Sequence, residues 1–262
     1  MVTRMTKEHK DILLSQSESR TVFEWENYFN NTYTRKQIYD FCYHHNKKIK
    51  KTTTEEFSIL QSERARKYSI NKDYFKIWSH NMAYVLGLWF ADGCIYRNTH
   101  FDITLHKKDE YLLNLILKEF QYEGKIGSYK GREALRLSFS CREIYNDIVS
   151  LGGTERKSLS VSFPNVPKEF LSDFIRGYFD GDGCIYNNEK GRINASFTCG
   201  SKKFLIELLN ILKQETKIQG GYYDDSSYTL RFGKQDSLIL GNYLYKDNPE
   251  LFLYRKRNKF IQ

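Results

Sequence analysis

The chain has 262 residues, with 41 Lys and Arg against 32 Asp and Glu and a formal charge of +9. That length fits one large domain or two modest ones, and 40% hydrophobic with 16% aromatic residues excludes a mainly disordered chain. No apolar run reaches the ~18 residues of a membrane span, and the polar start from Met1 to Asp11 is unlike a secretory signal, so a soluble intracellular protein with no membrane partner is expected. Cys42, Cys94, Cys141, Cys184 and Cys199 are scattered without a C-x-x-C pair, which argues against a disulfide framework and a structural zinc site. A basic chain with 20 Tyr and 18 Phe favours a polyanionic partner, nucleic acid before membrane.

In chain order, residues 1–75 read as a helical accessory region, with helices near Phe23–Phe29, Thr34–His45 and Thr54–Lys67. Thr34 and Thr54 suit N-cap positions, and Glu55-Glu56 suits a first turn. The basic turn Asn46-Lys47-Lys48-Ile49-Lys50-Lys51 separates the second helix from the third. The region is either a solvated extension or a small DNA-binding accessory of helix-turn-helix type.

From residue 76 the chain repeats itself. Gly87–Tyr96 reads GLWFADGCIY and Gly177–Tyr186 reads GYFDGDGCIY, identical at six of ten positions. The same features follow each copy in the same order. They are a β-prone run (Phe101–His106; Ala195–Gly200), an apolar-periodic stretch (Tyr111–Phe120; Phe204–Leu212) and a Gly-Tyr segment (Gly127–Tyr129; Gly221–Tyr223). A Leu-Arg-apolar triplet (Leu135–Leu137; Leu230–Phe232) and an Arg-Lys pair (Arg156-Lys157; Arg255-Lys256) complete each set. Each unit reads helix–strand–strand–helix–strand–strand–helix, the first over 76–163 and the second over 164–262, joined by Pro164-Asn165-Val166-Pro167. The fold class expected is α+β with pseudo-symmetric αββαββα repeats. Asn81–Asp92 is apolar on most sides, as a buried helix is, and Gly93 supplies its stop. Arg97-Asn98-Thr99 reads as a hairpin turn. Alternation in Ala134–Phe139 places Arg136 on a polar sheet face, and Arg192, Asn194, Ser196 and Thr198 lie likewise opposite Ile193, Ala195 and Phe197.

Gly87 and Ala91 share a helix face, as do Gly177 and Gly181. Small residues at that spacing let two helices pack closer than the usual ~8–10 Å. If the two copies pair along these faces, Asp92 and Asp182 meet at adjoining helix C-termini, where the dipoles disfavour negative charge. A divalent cation resolves the conflict, and oxygen ligands with room for water favour Mg²⁺ over zinc. Two Asp-Gly turns are the plainer alternative; duplication of the acid together with the small-residue face favours the metal site.

The paired motifs Val85–Gly93 (VLGLWFADG) and Ile175–Gly183 (IRGYFDGDG) resemble those of the LAGLIDADG homing endonucleases in their single-chain, two-repeat form. The second copy is close, while the first departs at Leu86, Trp89 and Phe90. The likeness covers roughly residues 76–262. It implies a monomer whose two four-stranded sheets form a saddle over double-stranded DNA, and an intron-encoded nuclease that cuts both strands across the minor groove. It also implies two or three divalent ions, Mg²⁺ with Mn²⁺ as a substitute, held by Asp92 and Asp182. Catalytic roles carry over to Lys157 and Lys256 as basic residues near the phosphate, and to His106, with Cys199 as its weaker counterpart, as a water-orienting group. DNA contacts fall to Tyr96, Arg97, Arg136, Tyr186, Asn188, Arg192, Asn194, Tyr222, Tyr223, Tyr228 and Arg231.

Two other activities fit the same scaffold: an intron maturase that binds RNA, and a DNA-binding regulator that does not cleave. Loss of a motif acid would mark the regulator, and both acids are present. A start at Met1 and an end at Phe260-Ile261-Gln262, without a His-Asn pair, are unlike a protein-splicing element.

Overall fold

The computed structural model describes residues 4–53, 68–128, 131–187, 189 and 191–261. The chain divides into two compact units, Met1–Ala65 and Arg66–Gln262. Among the described residues no helix is long and apolar enough to cross a membrane.

The first unit contains α1 (Lys7–Gln16), α2 (Val22–Tyr28) and α3 (Arg35–His44). Thr21 with Glu24 and Thr34 with Gln37 form reciprocal capping boxes that start α2 and α3. A small core joins Leu13, Trp25, Phe29, Tyr33, Ile38 and Cys42. Helix α1 escapes a reading by apolar periodicity because it buries only Leu13; its clearest sequence mark is the Thr6 cap. The helix expected at Thr54–Lys67 lies outside the described residues.

In the second unit the motif helices are α4 (His80–Asp92) and α7 (Leu171–Asp182). After α4 come β1 (Gly93–Tyr96), β2 (His100–His106), α5 (Glu110–Glu119), β3 (Gly127–Ser128), β4 (Ala134–Ser140) and α6 (Arg142–Ser150). After α7 come β5 (Gly183–Asn187), β6 (Ile193–Thr198), α8 (Lys202–Glu215), β7 (Tyr222–Asp224), β8 (Thr229–Phe232), α9 (Lys234–Leu244) and α10 (Tyr254–Ile261). Each repeat thus builds one antiparallel four-stranded sheet, in the order β1-β2-β4-β3 or β5-β6-β8-β7. Strand β4 alternates as its sequence predicts, with Leu135, Leu137 and Phe139 buried. Ser196 departs from expectation: it is buried, whereas Thr198 is exposed.

The repeats are halves of one body rather than separate domains. A single core runs from Tyr74 and Phe75 through both motif helices to Leu253. Residues expected in the accessory region therefore belong here, since Tyr74 and Phe75 pack on Phe120. The proline segment also differs from a loose linker: Val161 and Val166 are buried, and the Phe163 ring lies 5.1 Å from that of Phe174.

Glycine sets the spacing of α4 and α7. A Cβ at Gly87 would fall on the Phe174 carbonyl, and one at Gly177 on the Tyr84 carbonyl, so each helix offers its glycine to the other's backbone. Gly93 ends α4 in extended conformation rather than a left-handed turn. It is glycine because the Trp89 indole occupies the place of a Cβ, as the Phe179 ring does at Gly183.

Candidate functional site

Each motif helix runs straight into the first strand of its sheet, so Asp92 stands where α4 meets β1 and Asp182 where α7 meets β5. Close packing persists to this end. A Cβ at Gly181 would collide with the Ala91 methyl and lie 3.1 Å from an Asp92 carboxylate oxygen. The acids are neighbours across the helix pair, as the duplicated spacing predicts. Asp92 keeps solvent access, yet protein atoms crowd it; this desolvation, and then the charge of Asp182, push its carboxyl up to about 6. Asp182 is raised too, by burial, against the pull of Lys157 and Lys256.

Both lysines are buried. Lys157 opens a short 3₁₀ turn, is 7% exposed and donates to the Gly93 carbonyl. Lys256, on α10, is 5% exposed, and its ammonium donates among the carbonyls of Phe179, Asp180, Gly181 and Gly183 at 2.7, 2.6, 3.1 and 2.6 Å. Lys256 therefore puts a positive charge on the C-terminal carbonyls of α7, and Lys157 puts one on the Gly93 carbonyl just past the end of α4, where the dipole is negative. Aromatic rings at equivalent motif positions underlie them, Trp89 at 4.9 Å from Lys157 and Phe179 at 5.5 Å from Lys256. Trp89, a departure from the family motif, thus serves the same position as Phe179. Burial pulls both ammonium groups down, Lys256 to about 8, which leaves it charged at neutral pH.

A hard divalent cation fits this donor set. Among the described residues no group of three or more His, Cys, Asp or Glu side chains could hold a metal. Mg²⁺ is commonly held by one or two carboxylates with water and phosphate oxygens completing its shell, which is what two neighbouring, solvent-accessible acids offer.

Strand register revises two sequence pairings. Ile103 lies opposite Gly93 and Phe197 opposite Gly183, so Cys199 matches Leu105, while His106 matches Gly200. The register-matched polar residues are Thr104 and Thr198. His106 sits exposed at the end of β2, where its ring accepts from the Lys108 backbone N–H at 3.1 Å. Likewise Arg136 faces Thr104 but Arg231 faces Ser196, so the two arginines stand two residues out of register.

Arg136 is also not free. It donates through Nε to Asp102 at 3.0 Å, through Nη2 to the other Asp102 oxygen, and through Nη2 to the Tyr96 hydroxyl at 2.8 Å. Asp102 is buried, so the pair satisfies a carboxylate that could not stand alone. Sequence reasoning missed Asp102, which faces Ser138 and reaches Arg136 diagonally across the β2–β4 pair. Arg231 is more open, 3.4 Å from Asp224. Arg97 is exposed in the left-handed β1–β2 turn, and Arg192, Tyr222 and Tyr228 are exposed. Tyr186 is half-buried on β5. Asn194 turns inward to the Phe232 carbonyl at 2.9 Å, and its Oδ1 and the Tyr223 hydroxyl are buried without a partner among the described residues. Asn188 lies outside the described residues.

Two further motif residues are structural. Asp180 is buried and accepts from the Tyr84 hydroxyl at 2.7 Å and the Leu253 N–H at 2.8 Å, tying α4 and the C-terminal segment to α7. Arg176, also buried, donates to Asp173 and to the Leu244 and Leu251 carbonyls. Charges inside an otherwise apolar motif were their only sequence signal.

Residues 169–239 match the family described as the LAGLIDADG-like domain. Among curated proteins, the probable translation initiation factor IF-2 of Methanocaldococcus jannaschii is 33% identical over 150 residues, 54% of this chain and 12% of its own length. Elongation factor 2 of Methanopyrus kandleri is 27% identical over 155 residues, 57% of this chain and 12% of its own. The subunit Rpo1C of the M. jannaschii DNA-directed RNA polymerase is 26% identical over 119 residues, 42% of this chain and 13% of its own. The match thus spans about an eighth of each curated relative. Among solved structures, the I-LtrWI LAGLIDADG homing endonuclease bound to target DNA is 16% identical with a TM-score of 0.47, covering 73% of this chain and 89% of that one. Full-length DUF199/WhiA from Thermatoga maritima gives 15% identity and a TM-score of 0.47, covering 73% and 64%.

Proposed function

We propose that the chain, whose residues 169–239 match the LAGLIDADG-like domain family, is a homing-type endonuclease that hydrolyses both strands of double-stranded DNA with the help of a divalent cation. The observation that carries this is the meeting of Asp92 and Asp182 at the ends of a glycine-packed helix pair, each acid at the root of a four-stranded sheet. Asp92 and Asp182 would hold the cation, which supplies charge neutralisation at a phosphate and a more acidic water. The duplicated acids suit two strands, one per repeat. Lys157 and Lys256 offset the carboxylate charges from beneath, and the exposed Arg192, Arg231, Tyr222 and Tyr228 offer phosphate and base contacts on the second sheet. Similarity of parts of this chain to a small part of an initiation factor, an elongation factor and a polymerase subunit is what a mobile genetic module predicts.

The test is incubation with DNA spanning the uninterrupted host locus, in Mg²⁺ or Ca²⁺, for wild type and for Asp92→Asn with Asp182→Asn. Double-strand cleavage by wild type in Mg²⁺, with binding but no cleavage by the double variant, is expected. Tight binding without cleavage by wild type in Mg²⁺ and Mn²⁺ would make the protein a non-cleaving binder, and preference for intron RNA a maturase.

A further inference from the structure

The first unit carries a feature that neither the acids nor the sheets use. Helix α3 buries Ile38 and Cys42, and its solvent side presents Lys36, Tyr39 and Tyr43 at helical spacing of three and four, with the half-buried Asp40 beside them. Tyr39 is 57% exposed and Tyr43 69%, with their rings parallel to within 13° and 6.4 Å apart. Just past the helix, Lys47 and Lys48 are exposed. The loop bearing them is fixed rather than free, because Ile49 packs on the small core and Lys50 bridges to Thr21.

Charge along residues 4–51 is segregated. Residues 35–51 hold six basic side chains and one acidic, whereas residues 4–34 hold four basic and five acidic. Arg35 turns back toward Glu26 at 3.6 Å, which leaves Lys36, Lys47, Lys48, Lys50 and Lys51 as exposed cations, Lys36, Lys47 and Lys48 being those nearest the tyrosines in sequence. The stripe is tyrosine and lysine with no aliphatic residue, so it offers hydroxyls and positive charge rather than an apolar contact.

We infer that the exposed face of α3, with Lys47 and Lys48, is a second binding surface for duplex DNA, entering the major groove apart from the acid-bearing body. A helix fits that groove, about 12 Å wide, with tyrosines reaching base edges and methyl groups while lysines meet the flanking phosphates. The inference rests on the DNA-binding reading above and adds a separate contact to it.

The experiment uses the full chain with two pairs of changes, Lys47→Gln with Lys48→Gln and Tyr39→Ala with Tyr43→Ala, and Arg231→Ala as a marker of the second sheet. Random-sequence duplex DNA, the matching single strand and the matching RNA are titrated across a KCl series. The lysine pair is expected to make the log–log salt slope on duplex shallower by about 0.9 per lysine. The tyrosine pair should weaken duplex binding severalfold at an unchanged slope, and thermal melts of all variants should overlay wild type because every changed side chain is exposed. Duplex binding by both α3 variants that equals wild type, while Arg231→Ala weakens it, overturns this inference alone. A loss confined to single strand or RNA also overturns it, making the tyrosines a platform for unpaired bases. Failure of wild type to bind duplex at any salt overturns the inference and the proposed function together.

Discussion

Replacing Gly177 by alanine discriminates between two opposite expectations. On an open helix surface, glycine to alanine stabilises by roughly 0.5–1 kcal/mol through chain entropy. At Gly177 the new methyl would meet the Tyr84 carbonyl and lie 2.8 Å from the Leu88 amide nitrogen, both backbone atoms of α4 that no rotamer change can move aside. Overpacking of that kind costs about 1–3 kcal/mol, so the helix-propensity gain is outweighed and about 1–2 kcal/mol of stability is lost. For a body of this size that is a fall of about 2–8 °C in Tm. Gly87→Ala should behave alike against the Phe174 carbonyl, and the double variant should cost less than the two losses combined, because helices already parted admit the second methyl. Gly233→Ala is the control, with nothing within 4 Å of its Cβ. Thermal unfolding followed by circular dichroism reads these changes, and cleavage of target DNA should fall further than the folded fraction as Asp92 and Asp182 separate. A Tm at or above wild type for Gly177→Ala would refute the close helix contact on which the site depends.

Asp92→Asn should change the pH dependence of stability with a definite sign. The Asp92 carboxyl is held at about 6, above the roughly 3.9 of an unfolded chain, so its contribution is present in acid and lost as pH rises through 6. Denaturant titrations should show Asp92→Asn gaining on wild type above about pH 6 and converging with it below about pH 4; parallel curves would sink the assignment. Mg²⁺ should raise the Tm of wild type but not of Asp92→Asn with Asp182→Asn, a readout independent of cleavage. Lys256→Met removes an ammonium shared by four carbonyls around the end of α7, of which only Phe179 has the Gly183 N–H as a further donor, and should cost about 2–4 kcal/mol, more than Lys157→Met, which removes one such bond; equal losses in chemical denaturation would contradict the capping geometry. Arg136→Ala should leave the salt slope on random duplex DNA unchanged, because Asp102 already neutralises it, whereas Arg231→Ala should flatten it by about 0.9. A slope equally reduced in both would show Arg136 released onto phosphate.

Much of the fold was legible because its signals are local or duplicated. The alternation of Leu135, Leu137 and Phe139 against Arg136 and Ser138 specifies a half-buried strand by itself, and the repeated Gly-x-x-x-small spacing specifies a close helix pair. Helix α1 lacked such a signal, being polar apart from the one side that buries Leu13. The register of the sheets was out of reach for a different reason. The Leu-Arg-apolar triplets of β4 and β8 look equivalent in sequence, yet the second repeat pairs its strands two residues away, and nothing local reports that shift. Arg136 shows the same limit in chemical terms: its side chain belongs to Asp102, thirty-four positions earlier, and a contact of that range leaves no mark on periodicity.

The electrostatics of the acid pair needed the third dimension most. From sequence, two carboxylates at two helix C-termini form an unfavourable arrangement that a cation would relieve. In the folded chain Lys157 and Lys256 reach those helix ends from 64 and 73 positions away, measured to Gly93 and Gly183, and place positive charge directly on the carbonyls. The macrodipole at each end is therefore largely offset before any ion arrives. What remains is the desolvation of Asp92 and, after it, the nearby charge of Asp182, which keep the Asp92 carboxyl at about 6 even with both lysines opposing the shift. The protein thus divides the two tasks. Lysines buried beneath the tips make it possible for the helices to end together, and on the proposed function the residual carboxylate repulsion above them is what a divalent cation would relieve. If that division holds, removing Lys256 should unfold or loosen the helix end before it alters cation affinity, while removing Asp182 should abolish the cation-dependent rise in Tm without loosening the helices.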